Sequence, residues 1–81
     1  SHSLLDRATR QRVNPAASIT IGDHVWIGTN VTVLKGTRVA DNCMIGACAL
    51  LCGQYETPNC VLAGVPAKQV REGIDWTSAL I

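Results

Sequence analysis

Residues 19–51 read ITIGDHVWIGTNVTVLKGTRVADNCMIGACALL, and they repeat with a period of six. Every sixth residue from Ile21 is aliphatic: Ile21, Ile27, Val33, Val39, Ile45 and Leu51. Two places before each stands a smaller or branched residue, namely Ile19, Val25, Val31, Thr37, Cys43 and Ala49. Gly22, Gly28 and Gly46 follow three of the aliphatic residues and Ala40 follows a fourth. Neither the helical period of about 3.6 nor a plain strand period of 2 explains this pattern. Residues two apart share one face of a short strand, and the glycine that follows lets the chain turn. Asp23, Asn30, Asp41 and Asn42 are turn formers that tolerate left-handed backbone. Short strand, turn, short strand, turn describes a parallel β-solenoid, in which each rung buries its aliphatic residues against the next.

Outward from that stretch the chain divides into four parts. Residues 1–14 hold no sustained period and carry Arg7, Arg10 and Arg12; they are expected to form an arm or loop ahead of the coils. Residues 15–51 are the repeat coils, entered at Asn14 and Pro15. Residues 52–60, CGQYETPNC, break the hexads and read as a projecting loop. Residues 61–81 supply a final strand, VLAGVPAKQV, and a tail. Ile74, Trp76, Leu80 and Ile81 give the tail an apolar face that should pack on its own coil or on a neighbouring subunit. A short helix there is weakened by Gly73.

Eighty-one residues allow a single domain with a modest core. Aromatic residues make up 4% and Phe is absent, which suits a thin core of Ile, Val and Leu. A net charge of +1 makes no case for nucleic acid, and no apolar run is long enough for a membrane span. Cys43, Cys48, Cys52 and Cys60 form no C-x-x-C pair, so they read as core or surface thiols rather than metal ligands. Free thiols fit a reducing cytoplasm.

The hexad stretch, the IGDHVWIG segment, the LKG that follows and the late AGVPAK run together resemble the hexapeptide-repeat acyltransferases. The likeness is closest to the sugar and polysaccharide O-acetyltransferases and covers almost the whole chain. It implies an all-β fold, a left-handed parallel β-helix of about two to three coils at roughly three hexads per coil. It also implies that the chain corresponds to the C-terminal half of such an enzyme.

The same resemblance implies an acetyl-CoA-dependent acetyl transfer to a sugar or polysaccharide hydroxyl, with no metal, at sites between the subunits of a homotrimer. His2, in the His2-Ser3 pair, aligns with the catalytic base; an imidazole suits proton removal at neutral pH. Asp6 is a candidate to orient that ring. Trp26, on the outside of its hexad, matches a tryptophan that lines the acyl-CoA groove. Gly28 and Thr29, with Gly46 and Ala47, match turns whose backbone amides face that groove. Lys68 and Arg71 match basic residues that meet the coenzyme phosphates. His24 reads as an exposed corner residue.

One departure stands out. Cys52 and Gly53 replace a threonine and a lysine that often touch the coenzyme in relatives. A trimeric solenoid that no longer catalyses is therefore the alternative reading. A zinc-dependent enzyme on the same solenoid would need several histidines where this chain has two, and the threonines form no ladder suited to ice binding.

Overall fold

A computed structural model describes residues 5, 7–11 and 17–80. Among the described residues nine strands follow one another: β1 Thr20–Ile21, β2 Trp26–Ile27, β3 Thr32–Val33, β4 Arg38–Val39, β5 Met44–Ile45, β6 Leu50–Leu51, β7 Gln54–Tyr55, β8 Cys60–Gly64 and β9 Ala67–Glu72. They assemble as three sheets, β1-β4-β7, β2-β5-β8-β9 and β3-β6. Every third strand is thus stacked in parallel, which makes the three-sided coil of a left-handed parallel β-helix. Two coils are complete and β7 and β8 begin a third.

The hexad period translates directly into the corners. His24, Asn30, Asn42 and Cys48 carry positive φ, and Gly36 does so between them, so each six-residue unit ends in one left-handed residue. Asn and Gly accept this conformation most easily.

Inward residues stack in register: Ile27 on Ile45 and Ile45 on Leu62, with Val33 on Leu51 in the next sheet. Ile45 and Leu51 are 0% exposed and Leu62 is 1%. Ile27, in the first described coil, is 46% exposed although it occupies the same place in its hexad. Burial here comes from stacking, and closing a rung over one such side chain stabilises by roughly 1.5–3 kcal/mol. The small inward positions Cys43 and Ala49 are equally buried. Thr37, the one buried polar residue described, gives its hydroxyl proton to the Leu51 carbonyl at 3.1 Å.

The expected loop at 52–60 is corrected. It contains β7, whose Gln54 and Tyr55 pair with Arg38 and Val39. The coil shortens there: β1 and β4 partners are 18 residues apart, β4 and β7 partners 16, and β5 and β8 partners 17. Tyr55 rather than an aliphatic residue fills the place below Val39, and its hydroxyl donates to the Ala67 carbonyl at 3.0 Å. The final strand is in fact two. β8 turns at Gly64–Pro66, where the Val65–Pro66 bond is cis, and β9 returns antiparallel as the sheet edge. Residues 73–80 form no helix.

Candidate functional site

The sheet β2-β5-β8-β9 carries the candidate residues that lie among those described. Parallel register places Trp26, Met44 and Val61 in one row across it, and the antiparallel pairing of β9 adds Arg71. The residues between them in sequence, Ile27, Ile45 and Leu62, face the core, so this row faces outward. Arg71 lies three strands from Trp26, roughly 14 Å at about 4.8 Å per strand.

A second outward row runs beside the first and holds almost no side chain. Gly28 lies over Gly46, and a Cβ built on Gly28 would stand 2.8 Å from the Ala47 nitrogen and 2.8 Å from the Ile45 carbonyl oxygen. Gly46 lies over Ala63, whose Cβ would be 3.3 Å from one added at Gly46. Ala63 pairs with Lys68. The result is a strip of small residues along the solenoid axis, Gly28, Gly46 and Ala63, with Trp26 beside one end and Lys68 and Arg71 at the other. Lys68 and Arg71 are exposed.

The expected use of backbone amides is corrected in part. The Gly28 N–H donates to the Ile45 carbonyl and the Gly46 N–H to the Leu62 carbonyl, each at 2.8 Å. Both are consumed by the ladder, so these glycines contribute space and not donors. The Thr29 carbonyl accepts from the Cys48 N–H at 2.8 Å, while the N–H groups of Thr29 and Ala47 donate to no described residue. His2 and Asp6 lie outside the described residues.

His24 has more partners than a solvated corner requires. Its Nδ1 is 2.7 Å from the Asn42 side-chain oxygen, so the proton on this nitrogen is donated to Asn42. Asn42 in turn donates through its amide to the side-chain oxygens of Asn59 and Asp75. His24, Asn42 and Asn59 all have positive φ and stack at one corner of successive coils. The tail docks on that corner. Trp76 stacks flat on His24 and donates its indole N–H to the His24 carbonyl at 2.9 Å. It also approaches Trp26, with ring centroids 5.9 Å apart and planes at 50°.

Of the apolar tail residues, Trp76 and Ile74 make the contact with the coil, whereas Leu80 is fully exposed. A groove of about 360 Å³ opens between Trp26 and residues 76–80. A hollow of about 220 Å³ on the β1-β4-β7 side contains none of the candidate residues. The expected packing of Trp76 on its own coil is thus observed; its partner His24 was not identifiable from the sequence because residues 24 and 76 share no repeat. Ile81, also expected on that face, lies outside the described residues.

Two of the four thiols are removed from solvent. Cys43 and Cys60 sit one above the other with sulfurs 3.5 Å apart. Burial, followed by the hydrogen bond with Cys43, pushes the Cys60 thiol up from 9.0 to about 12.

A three-sided coil built on six-residue units defines the hexapeptide-repeat class. The family model for bacterial transferase hexapeptide, six repeats, matches residues 18–53. Residues 18–53 thus carry this family's repeat. The chain is 41% identical over 75 residues to the polysialic acid O-acetyltransferase of Neisseria meningitidis, covering 93% of this chain and 35% of that protein. The crystal structure of the polysialic acid O-acetyltransferase OatWY superposes with a TM-score of 0.93 at 39% identity, over 99% of this chain and 38% of that one. A galactoside acetyltransferase in complex with coenzyme A superposes with a TM-score of 0.64 at 44% identity, over 67% of this chain and 26% of that one. The chain therefore spans roughly a quarter to a third of the length of the curated relatives it matches.

Proposed function

We propose that the chain carries the coenzyme-binding part of an acetyl-CoA-dependent O-acetyltransferase that modifies a hydroxyl of a sugar or polysaccharide. The observation that carries this reading is the strip of small residues Gly28, Gly46 and Ala63 that ends at two exposed cations, Lys68 and Arg71. A surface with so little side chain along it and positive charge at one end suits an extended chain with a phosphorylated end. The pantetheine arm lies over Gly28 and Gly46, the phosphates meet Lys68 and Arg71, and the acyl end reaches Trp26. The free N–H groups of Thr29 and Ala47 are the donors available to the arm or to a developing oxyanion. The coenzyme complex of the galactoside acetyltransferase supports this assignment.

His2 is the base in this reading. It takes the proton of the acceptor hydroxyl as that oxygen attacks the thioester carbonyl; the carbon–sulfur bond breaks and the proton passes to the leaving thiol. No covalent enzyme intermediate is formed and no metal is used. The working unit is a homotrimer with sites between subunits, and its free thiols suit a reducing cytoplasm.

Calorimetric titration with acetyl-CoA, followed by a thiol-release assay of His2→Ala, tests the proposal. Coenzyme binding and a loss of turnover of about 10²-fold or more are expected on removing the base. Absence of binding at millimolar coenzyme overturns it, and a monomer in sedimentation overturns the intersubunit site.

A further inference from the structure

The groove between Trp26 and the tail adjoins the acyl end of the proposed coenzyme site, and residues 76–80, which line most of it, have no role in that site. Four contacts hold the tail to the coil: the Ile74 N–H on the Asn59 carbonyl, the Asn42 amide on Asp75, the Trp76 N–H on the His24 carbonyl, and the stack of Trp76 on His24. One face of Trp76 is thereby covered, and its remaining surface lines the groove with Trp26. Thr77 and Ser78 add hydroxyls, and Ala79 and Leu80 add apolar surface. At about 360 Å³ the groove falls within the range of roughly 300–1,000 Å³ of small-molecule sites.

Its position decides which molecule it suits. Trp26 stands roughly 14 Å from Arg71, three strands away at about 4.8 Å each. A nucleotide whose phosphates sit at Lys68 and Arg71 has its base at the wrong end for this groove, and the acyl group is the part of the coenzyme nearest to it. The acceptor must come to the acyl group. A pyranose ring has apolar C–H faces and a rim of hydroxyls, which match two angled indoles edged by Thr77 and Ser78.

We propose that the segment Asp75–Leu80 is a strap that forms, together with Trp26, the seat for a sugar ring of the acceptor. Trp76 touches the sugar; His24 and Asn42 are positioning residues that act by holding Trp76 and Asp75. The proposal rests on the reading of the chain as a sugar O-acetyltransferase.

The chain has two tryptophans, so its indole N–H signals in a proton–nitrogen correlation spectrum are assigned by one substitution each. The protein is titrated separately with a β-galactoside, maltose, a sialic acid oligomer and acetyl-CoA. At least one saccharide is expected to shift both indole signals. Trp76→Ala then weakens that saccharide by about tenfold or more, as loss of a central aromatic contact does, and leaves acetyl-CoA affinity within about twofold. Trp76→Phe, which keeps a ring, restores part of the affinity, and an unchanged backbone spectrum shows that the coil is intact. Asn42→Gly, which keeps the corner but releases Asp75, weakens the saccharide and not the coenzyme.

The proposal is overturned if no saccharide moves the two signals, if Trp76→Ala leaves saccharide affinity unchanged, or if acetyl-CoA moves the Trp76 signal as strongly as any sugar. Failure of acetyl-CoA to bind is read in its own titration and counts against the proposed coenzyme site, independently of the sugar arm.

Discussion

The indole of Trp76 lies parallel to the imidazole of His24, with centroids 3.8 Å apart and planes within 4°. The two residues are 52 positions apart, and their contact ties the end of the chain to the first described coil. It depends on a corner that most residues tolerate poorly. Asn42, one coil below His24, has φ of 57° and joins His24, Asn59 and Asp75 through its side chain. Asn42→Ala places an alanine in left-handed backbone and removes those bonds. A loss of about 2–4 kcal/mol is expected in denaturant unfolding. Asn42→Gly relieves the backbone cost and loses only the bonds, so it should fall between Ala and the parent. Equal stability of Ala and parent would refute the role given to the corner.

Gly28→Ala tests the close stacking of the coils at Gly28. The added Cβ meets main-chain atoms of Ile45 and Ala47 at 2.8 Å, and backbone cannot move aside as a flexible side chain does. The two coils must separate locally, at an expected cost of about 1–3 kcal/mol. Gly46→Ala meets only the Ala63 Cβ at 3.3 Å and should cost clearly less. Thermal unfolding of the two variants side by side gives the order, and the reverse order contradicts the stacking described.

Much of this was legible from residues 19–51 because each inward aliphatic announces its own rung. Ile21, Val39 and Leu51 could be placed before any coordinate was known, and the positive φ of Asn30 and Asn42 follows from their turn chemistry. The third coil was not legible. It is two residues shorter on one side, so Tyr55 takes the place under Val39 and Leu62 the place under Ile45, and a strict count of six misses both. The candidate face was legible in part: Trp26, Lys68 and Arg71 were identifiable one by one. That β9 folds back to set Arg71 in the row of Trp26 depends on a hairpin that no repeat encodes. The expected amide donors failed at Gly28 and Gly46 for a simple reason, since a parallel coil uses those N–H groups to hold the next rung.

The four cysteines should divide into two pairs by reactivity. Cys43 and Cys60 are buried and Cys48 and Cys52 exposed. In the native state a disulfide reagent should titrate two thiols rapidly, and all four after unfolding. The raised Cys60 thiol adds a pH effect. Its folded value, about 12, lies above the ordinary 9.0, so the native state holds this proton more tightly than the unfolded chain. That contribution is complete below pH 9 and is lost as pH rises from 9 towards 12. Cys60→Ala should flatten the alkaline fall in stability; an identical slope in the variant would exclude Cys60 as its source.

Lys68 and Arg71 should matter to the coenzyme through charge rather than through folding. Both side chains are exposed on the edge strand, and neither reaches the core. Replacing either by Gln removes a cation while keeping a long polar side chain, so stability should change by less than about 0.5 kcal/mol. Acetyl-CoA affinity should fall, more for Arg71→Gln, because a guanidinium grips a phosphate through two N–H groups; a charge-assisted contact of about 1.5–3 kcal/mol corresponds to roughly 10- to 150-fold. Desulfo or dephospho analogues separate the ends of the ligand. A fragment lacking the nucleotide should bind parent and variants alike, since it offers no phosphate to either cation. Raising ionic strength should weaken the intact coenzyme on the parent and have less effect on the double variant, as attraction between charges is screened over about 8–10 Å at 0.1–0.15 M salt. Equal salt dependence in both proteins would place the phosphates elsewhere on the solenoid.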